Sequence, residues 1–160
     1  MKAMLAGFLT ILALQITPAF AAFKAKSPLV GHWTLDVSTL PMPPEARPKS
    51  VNLDFGDADG KWATHVEIID QANNKLYSDS TLSLDGTPGR ASGTYWVDVV
   101  AAKMPSPDVL VMQCVYKGVP SSTRIFSVSA DGKVLTETEA YFKEGTPMMR
   151  TAFYSRVIGK

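Results

Sequence analysis

The chain has 160 residues, with 16 Lys+Arg against 15 Asp+Glu, and 46% of it is apolar. That length suits one domain around one core. The near balance of charge offers no footprint for nucleic acid or for an anionic membrane surface. A single cysteine, Cys114, excludes an internal disulfide, so stability has to come from burial and backbone pairing.

The chain opens Met1-Lys2-Ala3-Met4, runs apolar from Leu5 to Ile16, and then presents Ala19-Phe20-Ala21. One early positive charge, an apolar run and a small-x-small site have the layout of a secretory signal peptide. Residues 1–21 are therefore expected to be removed, leaving residues 22–160 as a single exported domain, periplasmic or secreted. The apolar run is shorter than the roughly 20 residues of a membrane-spanning helix, so no span is expected after cleavage. Cleavage takes away Lys2 and no acid, which leaves 15 basic and 15 acidic residues.

Along the mature chain nearly every segment has period two. In Leu29 to Asp36, Trp33 and Leu35 alternate with His32, Thr34 and Asp36, which marks a half-buried strand. Ser38 to Lys49 holds four prolines, which exclude a helix interior or a central strand and predict a stiff surface loop. Its Leu40 and Met42 either fold down onto a barrel opening or cover the core edge. Strands follow over Val51–Phe55, Trp62–Ile69 and Leu76–Leu84, divided by Asp59-Gly60 and by Gln71 to Lys75. Thr87 to Thr94, with Pro88, Gly89 and Gly93, reads as a longer loop. Further strands are expected over Tyr95–Lys103, Val109–Lys117, Thr123–Ser129, Val134–Phe142 and Met148–Val157, with Asp131-Gly132 as the clearest hairpin corner. No window keeps an apolar face at helical spacing over three turns. The expected fold is all-β: an antiparallel up-and-down β-barrel of about eight to nine strands, closed on itself to hide its edges.

Chemistry is sparse. His32 and His65 sit on strands near Asp36 and Glu67, but no spacing gathers the three or four ligands a zinc site needs, so no metal or cofactor is expected. Glu137 and Glu139 share one face of a strand, roughly 7 Å apart by strand geometry. That spacing suits an acid/base pair, although acids alternating with Thr136 and Thr138 more commonly form the solvated outside. Arg124 and Arg150 also read as outward, with an inward arginine able to take a ligand carboxylate. Cys114, inside Val109–Val115, reads as a small buried hydrophobe. No Gly-x-Ser-x-Gly elbow or triad is present, and no catalytic residue is assigned.

Gly31-His32-Trp33 resembles the Gly-x-Trp signature of lipocalins, with Tyr154-Ser155-Arg156 near the end of the last strand. The mature chain is similar to small exported bacterial proteins of lipocalin-like, calycin-type build. The matching pieces are Gly31 to Asp36, Ser38 to Ser50, Asp59-Gly60, Asp85-Gly86, Asp131-Gly132 and Tyr154 to Arg156. Asp36 stands where that group often has Asn. The resemblance implies a barrel closed by Gly31, Trp33 and Arg156, with the guanidinium packed across the indole. It implies binding and carries over no catalytic residue. The candidate lining for a small hydrophobic or amphipathic ligand is Trp33, Phe55, Val66, Ile68, Met112, Tyr116, Phe126 and Phe153, which equally suit a packed core. Two rivals remain open: an interaction or inhibitor module using Pro41 to Lys49 and Thr87 to Thr94, and a barrel-housed isomerase or hydrolase in which Glu137, Glu139, His32 and His65 converge.

Overall fold

The structure is a computed structural model that describes residues 26–159. The signal-peptide reading of residues 1–21 lies outside the described residues. Ten strands form one closed antiparallel barrel in which each pairs with the next and the last returns to the first. They are β1 (Gly31–Leu35), β2 (Ser50–Ala58), β3 (Lys61–Ile69), β4 (Lys75–Leu82), β5 (Asp85–Gly93), β6 (Val99–Ser106), β7 (Val109–Tyr116), β8 (Val119–Val128), β9 (Val134–Lys143) and β10 (Thr146–Val157). Closure between β1 and β10 pairs Trp33 with Arg156 and Leu35 with Tyr154. Among the described residues the remaining regular structure is two short 3-10 turns, Val37–Thr39 and Pro44–Ala46, in the proline-rich connection.

The count is ten rather than eight or nine because the segment expected to be a loop from Thr87 to Thr94 largely belongs to β5. Pro88 falls beside a register shift, where a missing N–H is tolerated. Gly93 lies so close to β4 that an added Cβ would sit 2.1 Å from the Tyr77 carbonyl oxygen. These residues signal a distorted strand under a close neighbour, not a free loop. The next strand accordingly begins at Val99 rather than at Tyr95, which lies in the β5–β6 corner.

The core is one cluster running the length of the barrel, with Leu29, Trp33, Leu110 and Leu135 essentially inaccessible. Phe55 packs against both Trp62 and Phe126 with ring centroids 5.2 Å apart. One end is closed by Trp33. Its Nε1 donates to the Leu29 carbonyl at 2.9 Å, and the Arg156 guanidinium lies 4.1 Å from the indole centroid. Arg156 donates to the carbonyls of Gly132 (2.6 Å), Val30 (2.9 Å) and Pro28. A Cβ on Gly31 would stand 2.4 Å from its Nη1, so glycine leaves the room the guanidinium occupies. Gly31, Trp33 and Arg156 thus form a single plug in which an aromatic face, three acceptors and a cation fit together.

The strands β8 to β10 reverse the usual distribution of charge. Arg124, Glu137, Glu139, Arg150 and Arg156 share the inward face with Phe126, Leu135, Ala152 and Tyr154. Outward from the same strands point Thr123, Ile125, Thr136, Thr138, Thr151 and Phe153.

Candidate functional site

Opposite the plug, the barrel is covered by the connection from Asp36 to Lys49. Asp36 starts it by accepting hydrogen bonds from Ser38 N (3.0 Å) and Ser38 Oγ (2.6 Å), which hold its carboxyl below the usual range. The chain then turns so that Leu40 is buried and Met42 packs on the core. Arg47 Nε donates to the Met42 carbonyl at 2.9 Å, Gln71 Nε2 donates to the Arg47 carbonyl at 2.6 Å, and Lys49 N reaches Ile69 O. Of the two roles the sequence leaves open, these contacts make the segment a cover tied to the rim.

Beneath it lies a partly enclosed cavity of about 120 Å³. One wall is apolar, built by Leu40, Met42, Val51, Val66 and Ile68, and the other is ionic. In register, Arg124 of β8, Glu139 of β9 and Arg150 of β10 form one row across three strands. Glu139 accepts from Arg150 Nε at 2.5 Å and forms an ion pair with Arg124 Nη2 at 2.9 Å. Glu137, one pleat further in, accepts from Arg124 Nη1 at 2.9 Å and from the Tyr154 hydroxyl at 2.6 Å. Arg124 completes its set with the Tyr95 hydroxyl at 3.0 Å and Ser122 Oγ at 3.4 Å. Each buried acid therefore has an arginine partner and at least one hydrogen-bond donor, which is what buried acids require.

The electrostatics follow from that enclosure. Burial opposes the charge on Arg124, but Tyr95, Glu137 and Glu139 outweigh it and hold the group well above the ordinary arginine value. Burial, then the charge and hydrogen bond of Glu137, hold Tyr154 well above the ordinary tyrosine value. Burial also pushes the Cys114 thiol up, against an opposing pull from Arg124 and Ser122, so the thiol is poorly suited to act as a nucleophile.

Val66, Ile68 and Phe126 of the candidate lining border the cavity. Phe55 and Met112 are buried in the core without bordering it, and Trp33 belongs to the plug. Tyr116 is a correction: it is half-buried at the end of β7 beside the Lys117-Gly118 turn, with Lys117 Nζ 5.1 Å from its ring centroid. Phe153 is another, 44% exposed, because it alternates with the inward Ala152 and Tyr154. Glu137 and Glu139 are buried rather than solvated, and Arg124 and Arg150 point inward rather than outward. The missed signal was register: two cations and an acid aligned on three consecutive strands, all on the parity of buried apolar neighbours.

The histidines lie on the other side of the wall. His32 Nδ1 donates to Asp54 at 2.5 Å and His65 Nδ1 to Asp79 at 2.6 Å, both on the barrel exterior. Their partners are residues directly across the ladder, not Asp36 or Glu67 on their own strands. Histidines and buried glutamates therefore do not converge, and among the described residues no three metal-binding side chains gather. The sequence matches no family model, and comparison with curated proteins and with solved structures finds no match.

Proposed function

We propose that this protein is an exported, non-catalytic binding module whose barrel holds one small amphipathic ligand beneath the 36–49 cover. The observation that carries the reading is the two-sided cavity, with Leu40, Met42, Val66 and Ile68 facing the Arg124–Glu139–Arg150 row. Ligand sites commonly combine such an apolar lining with a few converging polar groups. The volume of about 120 Å³ sets the scale. An apolar cavity of about 150 Å³ holds benzene, so the occupant is a compact molecule rather than a long lipid chain. A non-catalytic role fits because both acids spend their oxygens on arginine and tyrosine donors. The export reading rests on the pattern of residues 1–21, and the lipocalin-like resemblance agrees with a binding role.

Native mass spectrometry of the protein purified from its own host tests this. A small molecule that is retained by the folded protein and released on denaturation is the expected result. A bare protein mass, together with no binding of any compact probe, contradicts it.

A further inference from the structure

We infer that Arg150 anchors the carboxylate of a small aromatic acid, with the ring held against Trp96 and Tyr141 in the cleft that adjoins the covered cavity; this extends the binding reading above to a second space and names a ligand class for it. Arg150 borders both the inner cavity and an adjoining cleft of about 230 Å³ that opens under the β5–β6 corner. Its Nε is fixed by Glu139, and its guanidinium stands 5.8 Å from the Tyr141 ring centroid. Among the described residues its two terminal amino groups have no hydrogen-bond partner. A planar fork, already oriented and with two donors free, matches the two oxygens of a carboxylate.

The chemistry around it selects for an anion. Glu137 and Glu139 are each already paired with arginine, Glu137 with Arg124 and Glu139 with both Arg124 and Arg150, so neither acid is left without a cation to attract a cationic ligand. The buried Ser121 hydroxyl also lines the cleft and has no partner, which supplies another free donor. The remaining walls favour a flat ring. Tyr95 and Trp96 lie with centroids 6.1 Å apart at 29°, and Trp96 is 64% exposed at the mouth. Their corner is pinned, since Thr94 N and Tyr95 N both donate to the Tyr77 carbonyl at 2.9 Å and Lys117 N donates to Asp98 Oδ2 at 2.7 Å. The aromatic surface is thus presented on anchored backbone, which reduces the ordering cost of binding.

Benzoate and its uncharged counterpart benzyl alcohol distinguish the parts of this proposal by calorimetric titration of the full protein. Benzoate should bind at least about tenfold more tightly than benzyl alcohol, the difference a charge-assisted hydrogen bond supplies. Arg150→Gln should remove that preference. Ser121→Ala, which breaks no existing bond, should weaken benzoate several-fold with the thermal midpoint unchanged, so the test does not hinge on the stability of the arginine variant. Equal binding of both probes, unaffected by either substitution, overturns the anion anchor while leaving a barrel that binds small molecules. Binding of neither probe overturns the anchor alone; the binding reading above falls only if the protein purified from its own host also carries no small molecule.

Discussion

Arg156 performs three tasks at once: it stacks on Trp33, satisfies three carbonyls, and occupies the space left by Gly31. Arg156→Ala is expected to cost about 2–4 kcal/mol, from the lost stacking and the carbonyls left without their charged donor. Lysine at this position restores little, because a point charge cannot reach three acceptors in one plane. Urea denaturation of the two variants checks this, and a loss below about 0.5 kcal/mol contradicts the plug. Arg124 is the more sensitive side chain. It is the partner of both buried glutamates, so Arg124→Ala is expected to cost about 3–5 kcal/mol, whereas a mere surface pair is worth about 1 kcal/mol or less. Tyr154 and Cys114 set the alkaline limit. Both have raised values in the folded state, from ordinary values of 10.0 and 9.0. The unfolded chain therefore releases these protons first, so their contribution is full below those values and is lost as pH rises past them. Urea midpoints are expected to fall between about pH 8 and pH 11. Tyr154→Phe should lower stability at neutral pH, by leaving Glu137 short of a donor, and flatten the alkaline decline.

The cover from Asp36 to Lys49 is an element without strand or long helix, held by its two 3-10 turns, the Leu40 anchor and the Arg47 and Gln71 bonds. Arg47→Ala removes one of those ties. Amide exchange at Leu40 and Met42 should then quicken while Leu135 and Glu137 in β9 exchange as before; equal protection in both regions would show that Leu40 alone secures the cover. Much of this element was legible in the sequence: prolines excluded a helix interior or a central strand, and Leu40 and Met42 marked the side that turns inward. Most strands were legible for a similar reason, since period-two alternation and Asp-Gly corners are local signals. What was hidden depended on neighbours. The Pro88 to Gly93 stretch reads as loop in isolation and becomes β5 only because β4 and β6 flank it. Glu137 and Glu139 look like solvent-facing acids until Arg124 and Arg150 arrive in register on either side. Propensity for exposure is a single-residue property, whereas the pairing that allows burial comes from three strands at once.

At the scale of the molecule, the barrel divides its interior lengthwise. The end closed by Trp33 and Arg156 has a packed aromatic and aliphatic core beneath an outer cleft of about 610 Å³ bordered by Val30, Trp62, Leu84 and Met104, and the covered end keeps an inner cavity edged by an ion-pair row. Such a row is a poor source of stability, because desolvation offsets much of its Coulomb attraction. It does supply fixed, directional donors facing a small apolar space, which is what a site for an amphipathic ligand uses. The most direct test follows the methyl resonances of the cavity wall during titration with butanol, a compact probe with one apolar and one polar end. Leu40, Met42, Val66 and Ile68 are expected to shift in a saturable way, with the methyls of Ile125 on the outer face and Leu110 in the core unmoved. Shifts spread over the outer face, or none at saturating probe, would contradict an internal ligand site.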